Sequence, residues 1–172
     1  VKGEERSFTI IAFPTPAIGD KFEEIFEDTI SLNTLDSKVY ETCQQIIIDA
    51  LDLADYVRIK GKGANETDIQ VALWPLENPD VQTNFENCVA DVNIPVGEVF
   101  TSPRLKGTKG LLHVPKVFLK GLEYHDLKLT FQDGMITEYS CKNFENEEEN
   151  KKLIREKLLG NRETLPLGEF AI

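Results

Sequence analysis

Residues 127–139 read Leu-Lys-Leu-Thr-Phe-Gln-Asp-Gly-Met-Ile-Thr-Glu-Tyr, and no other stretch constrains the fold as tightly. Two β-type runs, 127–131 and 135–139, flank Asp133-Gly134, a dipeptide that supplies the positive φ angles a tight hairpin turn demands. So short a connection joins antiparallel strands only. Around it, from Val92 to Cys141, the text is nearly all β, and 110–121 contributes one or two further strands. Upstream, residues 54–63 alternate Tyr56, Arg58 and Lys60 with Val57 and Ile59, the period-2 mark of a half-exposed strand. Gly63 and Asn65 then allow a turn, and 67–74 returns as the hairpin partner. Residues 7–13 are apolar and β-branched and stop at Pro14 and Pro16, as a buried strand would. The Pro- and Asn-rich segment 75–87 reads as loop.

Three helices complete the expectation. Phe22, Ile25, Phe26, Thr29 and Ile30 fall on one face of the first, opposite Lys21, Glu23, Glu24, Glu27 and Asp28. The second runs from Asp36, a good N-cap, to about Ala54, with Val39, Cys43, Ile46, Ile47, Ala50 and Leu51 along the face expected to be buried. The third spans 145–160, with Leu153, Ile154 and Leu158 inward, acids early, bases late and Gly160 as its C-terminal cap. Helices gather early and strands late, so the expected class is α+β, with a mixed or antiparallel sheet and about three helices. At 172 residues one domain is the simplest organisation.

A formal charge of −11 would repel a phosphate backbone, which argues against nucleic acid as a partner. No run approaches the roughly 20 apolar residues of a membrane span, and the opening Val-Lys-Gly-Glu-Glu-Arg-Ser-Phe lacks the apolar core of a secretory signal. Cys43, Cys88 and Cys141 are far apart, form no C-x-x-C pair and leave one thiol over in any disulfide scheme. A reducing compartment, the cytoplasm, is expected.

Most familiar chemistry is missing. There is no phosphate-binding loop, no G-x-G-x-x-G after a strand, no G-x-S-x-G elbow and no H-E-x-x-H. Gly61 and Gly63 resemble half a phosphate loop, but a turn between strands accounts for them. His113 and His125 stand in strand-like text without ligand-spaced neighbours and read as exposed or hydrogen-bonded strand histidines. Ser102 and the cysteines have no visible base, so acyl-enzyme chemistry is not expected. Carboxylates remain. Glu98 and Glu169 stand apart because each follows a glycine and precedes a β-type apolar run, Val99-Phe100 and Phe170-Ala171. A glycine there lets the backbone turn sharply or approach a neighbour closely. Two carboxylates delivered to one spot repel unless cations lie between them, and a divalent metal pair is the usual reason for such convergence. A solvated surface or a salt bridge is the alternative for each residue.

The segment 93–103, NIPVGEVFTSP, resembles the N-(apolar)-P-x-G-E-V-(aromatic)-T-x-P pattern of the aminopeptidase T/aminopeptidase S family of thermophilic metalloproteases. LPLGEFAI at 165–172 resembles that family's later L-G-E-(apolar)-A segment. GKGANETDIQVAL (61–73), GTKGLLHVP (107–115) and GLEYHDLKLTFQDGMI (121–136) match in order, so the likeness spans most of the chain. The resemblance implies a two-metal exopeptidase that removes the N-terminal residue of a peptide, using divalent ions (zinc, cobalt, manganese or magnesium), and acting as a homodimer. It also implies that Glu98 binds one metal and that Glu169 is the bridge. The family's histidines, aspartate and further acidic ligand lie downstream of the second motif, whereas this chain stops at Ile172. The expectation is an excerpt, the end of an N-terminal domain plus the first part of a catalytic one, inactive by itself. Two carboxylates alone suit magnesium, calcium or manganese better than a nitrogen-assisted zinc or cobalt pair. The alternative is a diverged, non-catalytic module serving protein contact or assembly.

Overall fold

The structure, a computed structural model, describes residues 10–11, 13–89, 93–94 and 97–172, with 10–11 and 93–94 described by their backbone alone. The chain opens with β1 (Ile10–Ile11), α1 (Phe22–Asn33), α2 (Ser37–Leu51), β2 (Tyr56–Lys60) and β3 (Asp68–Ala72). There follow β4 (Glu86–Cys88), β5 (Asn93–Ile94), β6 (Glu98–Thr101), β7 (Arg104–Leu119), β8 (Leu122–Gln132) and β9 (Met135–Ser140). It closes with α3 (Glu147–Leu153), continued by a wider π turn over Ile154–Leu158, and β10 (Phe170–Ala171). The class is α+β, as the sequence predicts. Of the strand expected at 7–13, only Ile10–Ile11 is described as strand; residues 7–9 and 12 lie outside the described residues.

The chain forms two compact units, Val1–Leu53 with Pro79–Thr101 and Ala171–Ile172, and Ala54–Asn78 with Ser102–Phe170. In the second, β2-β3-β7-β8-β9 make a five-stranded antiparallel sheet. Its core gathers Ile69, Val71, Tyr124, Leu127, Leu129, Phe131 and Ile136 from the strands, with Ile154 and Leu159 from the last helix. The predicted hairpin is present, with Gln132 opposite Met135 and φ of 47° and 71° at Asp133 and Gly134. A second two-residue turn, Lys120-Gly121 at 53° and 77°, joins β7 to β8. Thr108, fully buried, mends the irregularity between β3 and β7, its hydroxyl accepting from the Ala72 amide (2.9 Å) and donating to the Arg104 carbonyl (2.7 Å).

The first unit holds α1, α2, the parallel pair β1 and β5, and β6 beside β4. Within it Val99 and Ile172 exchange both backbone hydrogen bonds, at 3.1 and 3.0 Å, the mark of an antiparallel pair. Asp36 caps α2 as expected, accepting from the Lys38 and Val39 amides. The buried face of α2 differs from the expectation. Gln44 and Ile48 point inward, with Tyr40 and Leu51 half-buried, while Val39 (58% exposed), Ile46 (65%) and Ile47 (40%) face outward and Cys43 is exposed. The reason is polar: Gln44 finds backbone acceptors on β4 and β6, and that demand outweighs the apolar stripe one residue along. The apolar stripe of α1 is likewise not sealed; Phe22 and Phe26 are half-buried, and Phe26 meets Phe13 edge-to-face at 5.6 Å.

Candidate metal-binding site

Glu98 begins β6, directly after Gly97. Gly97 has φ of +130°, and a Cβ there would come within 2.8 Å of Cε1 of Tyr40, so both conformation and space exclude a side chain. One helical turn beyond Tyr40, Gln44 Nε2 donates to Asn87 Oδ1 (2.7 Å), the Cys88 carbonyl (2.9 Å) and the Glu98 carbonyl (3.2 Å). Cys88 and Glu98 face each other at the end of the β4–β6 ladder. Asn87 is itself held, its Nδ2 donating to the Glu41 carbonyl (2.9 Å) and Gln45 Oε1 (3.3 Å). Along β6, Val99 and Thr101 are buried, which leaves Glu98 and Phe100 on the half-exposed face. The Glu98 carboxylate has no hydrogen-bonding or ionic partner among the described residues.

Glu169 belongs to the second unit and is exposed. Gly168 before it has no positive φ, and a Cβ there would meet nothing within 4 Å. The steric purpose that the shared Gly-Glu pattern suggests therefore holds at Gly97 and not at Gly168. Among the described residues no three His, Cys, Asp or Glu side chains cluster as a metal shell. Neither glutamate lines the open depression of about 610 Å³ on the second unit, which Lys128, Thr130, Glu138, Tyr139, Glu147 and Lys151 help to form.

The histidines are structural, as the sequence reading has them. His113 is buried; its Nδ1 accepts from the Glu66 amide (2.9 Å), so Nε2 carries the proton directed at Asp126 Oδ1 (2.5 Å). Asp126 sits opposite Pro115, where the β7–β8 ladder skips a rung, and adopts φ of 52°. Lys142, bonded to its other oxygen, and then His113 hold the Asp126 carboxyl below the usual aspartate range. With both ring nitrogens engaged, His113 offers no metal a lone pair. His125 is exposed, with Nε2 3.1 Å from Glu123. No disulfide joins the cysteines; Cys43 is exposed, Cys88 half-buried and Cys141 buried. Gly61 and Gly63 belong to the β2–β3 turn, where the Gly61 amide donates to the Thr67 carbonyl (2.7 Å). No helix among the described residues is long and apolar enough to cross a membrane.

Glu98 thus offers a half-buried carboxylate without a side-chain partner among the described residues, on a backbone that α2 holds, and Glu169 offers an exposed one. Carboxylates are the ligands that hard divalent cations favour. Sequence reasoning missed Gln44 and Tyr40, since a glutamine and a tyrosine inside a helical pattern carry no mark of what they touch.

A family model described as thermophilic metalloprotease (M29) matches residues 2–172. Among solved structures the chain is similar to wild-type AmpT from Thermus thermophilus, with 18% sequence identity and a TM-score of 0.57. That match covers 92% of this chain and 40% of the other, and at such identity it shows the fold alone. No curated protein sequence matches the chain.

Proposed function

We propose that this chain, which belongs to the thermophilic metalloprotease (M29) family, supplies part of the metal shell of an aminopeptidase acting on peptides with a free N-terminus. Glu98 and Glu169 are the residues that would hold the ions. When bound, divalent ions polarise the scissile carbonyl and make water nucleophilic near neutral pH. Glu98 contributes a carboxylate on a strand whose backbone α2 clamps, so the peptide from which it reaches is held before any cation arrives. Glu169 contributes the second carboxylate, exposed at the end of its own unit.

The observation that carries this reading is the half-buried Glu98 carboxylate, without a side-chain partner among the described residues and preceded by a glycine at a φ of +130° against Tyr40. The test uses the protein expressed from its full natural reading frame. It should release leucine from a leucyl arylamide, lose that activity on chelation, and regain it with manganese, cobalt or zinc. Glu98→Gln should lower kcat/KM by more than the about 10- to 100-fold typical of losing an outer-shell partner. Hydrolysis indifferent to chelation, or a Glu98→Gln enzyme within about threefold of the parent, would refute the assignment.

A further inference from the structure

We infer that Gln44 is a positioning residue for Glu98: its carboxamide fixes the backbone from which the carboxylate reaches a cation. The inference rests on the metal reading above. Gln44 is 6% exposed in the middle of a helix, where an uncharged polar group is tolerated only if its hydrogen bonds are made. They are made on one side only. The Nε2 end serves three acceptors, while Oε1 is buried without a partner. The network itself dictates that orientation: Cys88 and Glu98 present carbonyl oxygens, and Asn87, its Nδ2 spent on Glu41 and Gln45, presents Oδ1.

A leucine or methionine would fill this site without an orphaned oxygen but would take the donor from Asn87 Oδ1 and from the Cys88 and Glu98 carbonyls. The glutamine is therefore held here by what it ties together, and one of the groups it ties is the Glu98 backbone. What glutamine adds is a tie across the last rung of the β4–β6 ladder, holding the carbonyls of Cys88 and its partner Glu98 together. Next to that rung Gly97 lies against the Tyr40 ring, so α2 meets the backbone around Glu98 at two neighbouring points. Groups that orient a metal ligand typically set about 10- to 100-fold in metal affinity.

The test is a double-mutant cycle on cobalt(II) affinity, followed by visible absorption, in the protein from the full reading frame, with thermal unfolding of the metal-free form alongside. Gln44→Met keeps the length and removes the donor; Gln44→Asn keeps the amide and shortens its reach, and it serves in place of Gln44→Met should that variant not fold. Each should weaken cobalt binding about 10-fold or more while Glu98 is present. In a Glu98→Gln background the same change should alter affinity less than about twofold. Equal weakening in both backgrounds would show a merely structural residue and overturn the inference. So would unchanged affinity in the Gln44 variants where Glu98→Gln alone weakens binding. Cobalt binding indifferent to Glu98→Gln would instead overturn the metal reading on which the inference stands.

Discussion

Gly97 and Gly168 precede their glutamates in the same way, yet only Gly97 sits at positive φ with an aromatic ring against its Cα. Gly97→Ala should therefore cost about 1–3 kcal/mol, the range for a residue forced into a sparsely allowed conformation, read as a lower urea midpoint. Gly168→Ala should be neutral or stabilising by up to about 1 kcal/mol, because it restricts only the unfolded chain. Equal losses at the two positions would contradict this. Asp126 makes a second residue-scale prediction, about acid. Its carboxyl is depressed in the folded protein by Lys142 first and His113 second, so its contribution to stability is complete above the ordinary aspartate value of about 3.9. That contribution fades as pH falls through the depressed folded value. Asp126→Asn should lower stability at pH 7 and flatten the acid limb of a stability–pH curve; an unchanged limb would contradict the assigned pairing.

Single elements show which signals a sequence carries and which it hides. The β8–β9 hairpin was legible because Asp133-Gly134 is a local chemical necessity, whereas the Lys120-Gly121 turn was not, since lysine is no turn marker. The existence and N-cap of α2 were legible, but its orientation was not. Periodicity sums apolar residues and cannot see that Gln44 will find three acceptors on strands 43 to 54 positions away. Asn150 hides in the same way in an acidic helix. Its Oδ1 accepts from the Asn143 and Phe144 amides (3.0 and 2.9 Å), and its Nδ2 donates to the Phe144 carbonyl (2.9 Å), tying α3 to the end of β9. Asn150→Ala should cost about 2 kcal/mol or more, because several backbone groups lose their partners at once. Thermal unfolding would read it, and a change below about 0.5 kcal/mol, the ordinary range for an inconsequential surface position, would contradict it.

At the scale of the molecule, the α+β class followed from strand and helix patterns alone, while the candidate site was proposed from two Gly-Glu pairs. How Glu98 is held was hidden, because it depends on Tyr40, Gln44 and Asn87, which the sequence spreads across a helix and a short edge strand. The chain aligns with 40% of the AmpT chain and brings no three ligating side chains together among its described residues. On the proposed reading, in which Glu98 and Glu169 are part of a larger ligand set, the 172 residues alone should show no chelator-sensitive release of leucine from a leucyl arylamide. Steady turnover, abolished by chelation, would contradict that expectation. The role of the two glutamates is tested most directly by anomalous X-ray scattering from crystals of the full-length protein loaded with manganese. Two peaks about 3.5–4 Å apart are expected, with carboxylate oxygens of Glu98 and Glu169 at ligand distance. Manganese peaks with neither carboxylate within bonding range would contradict it.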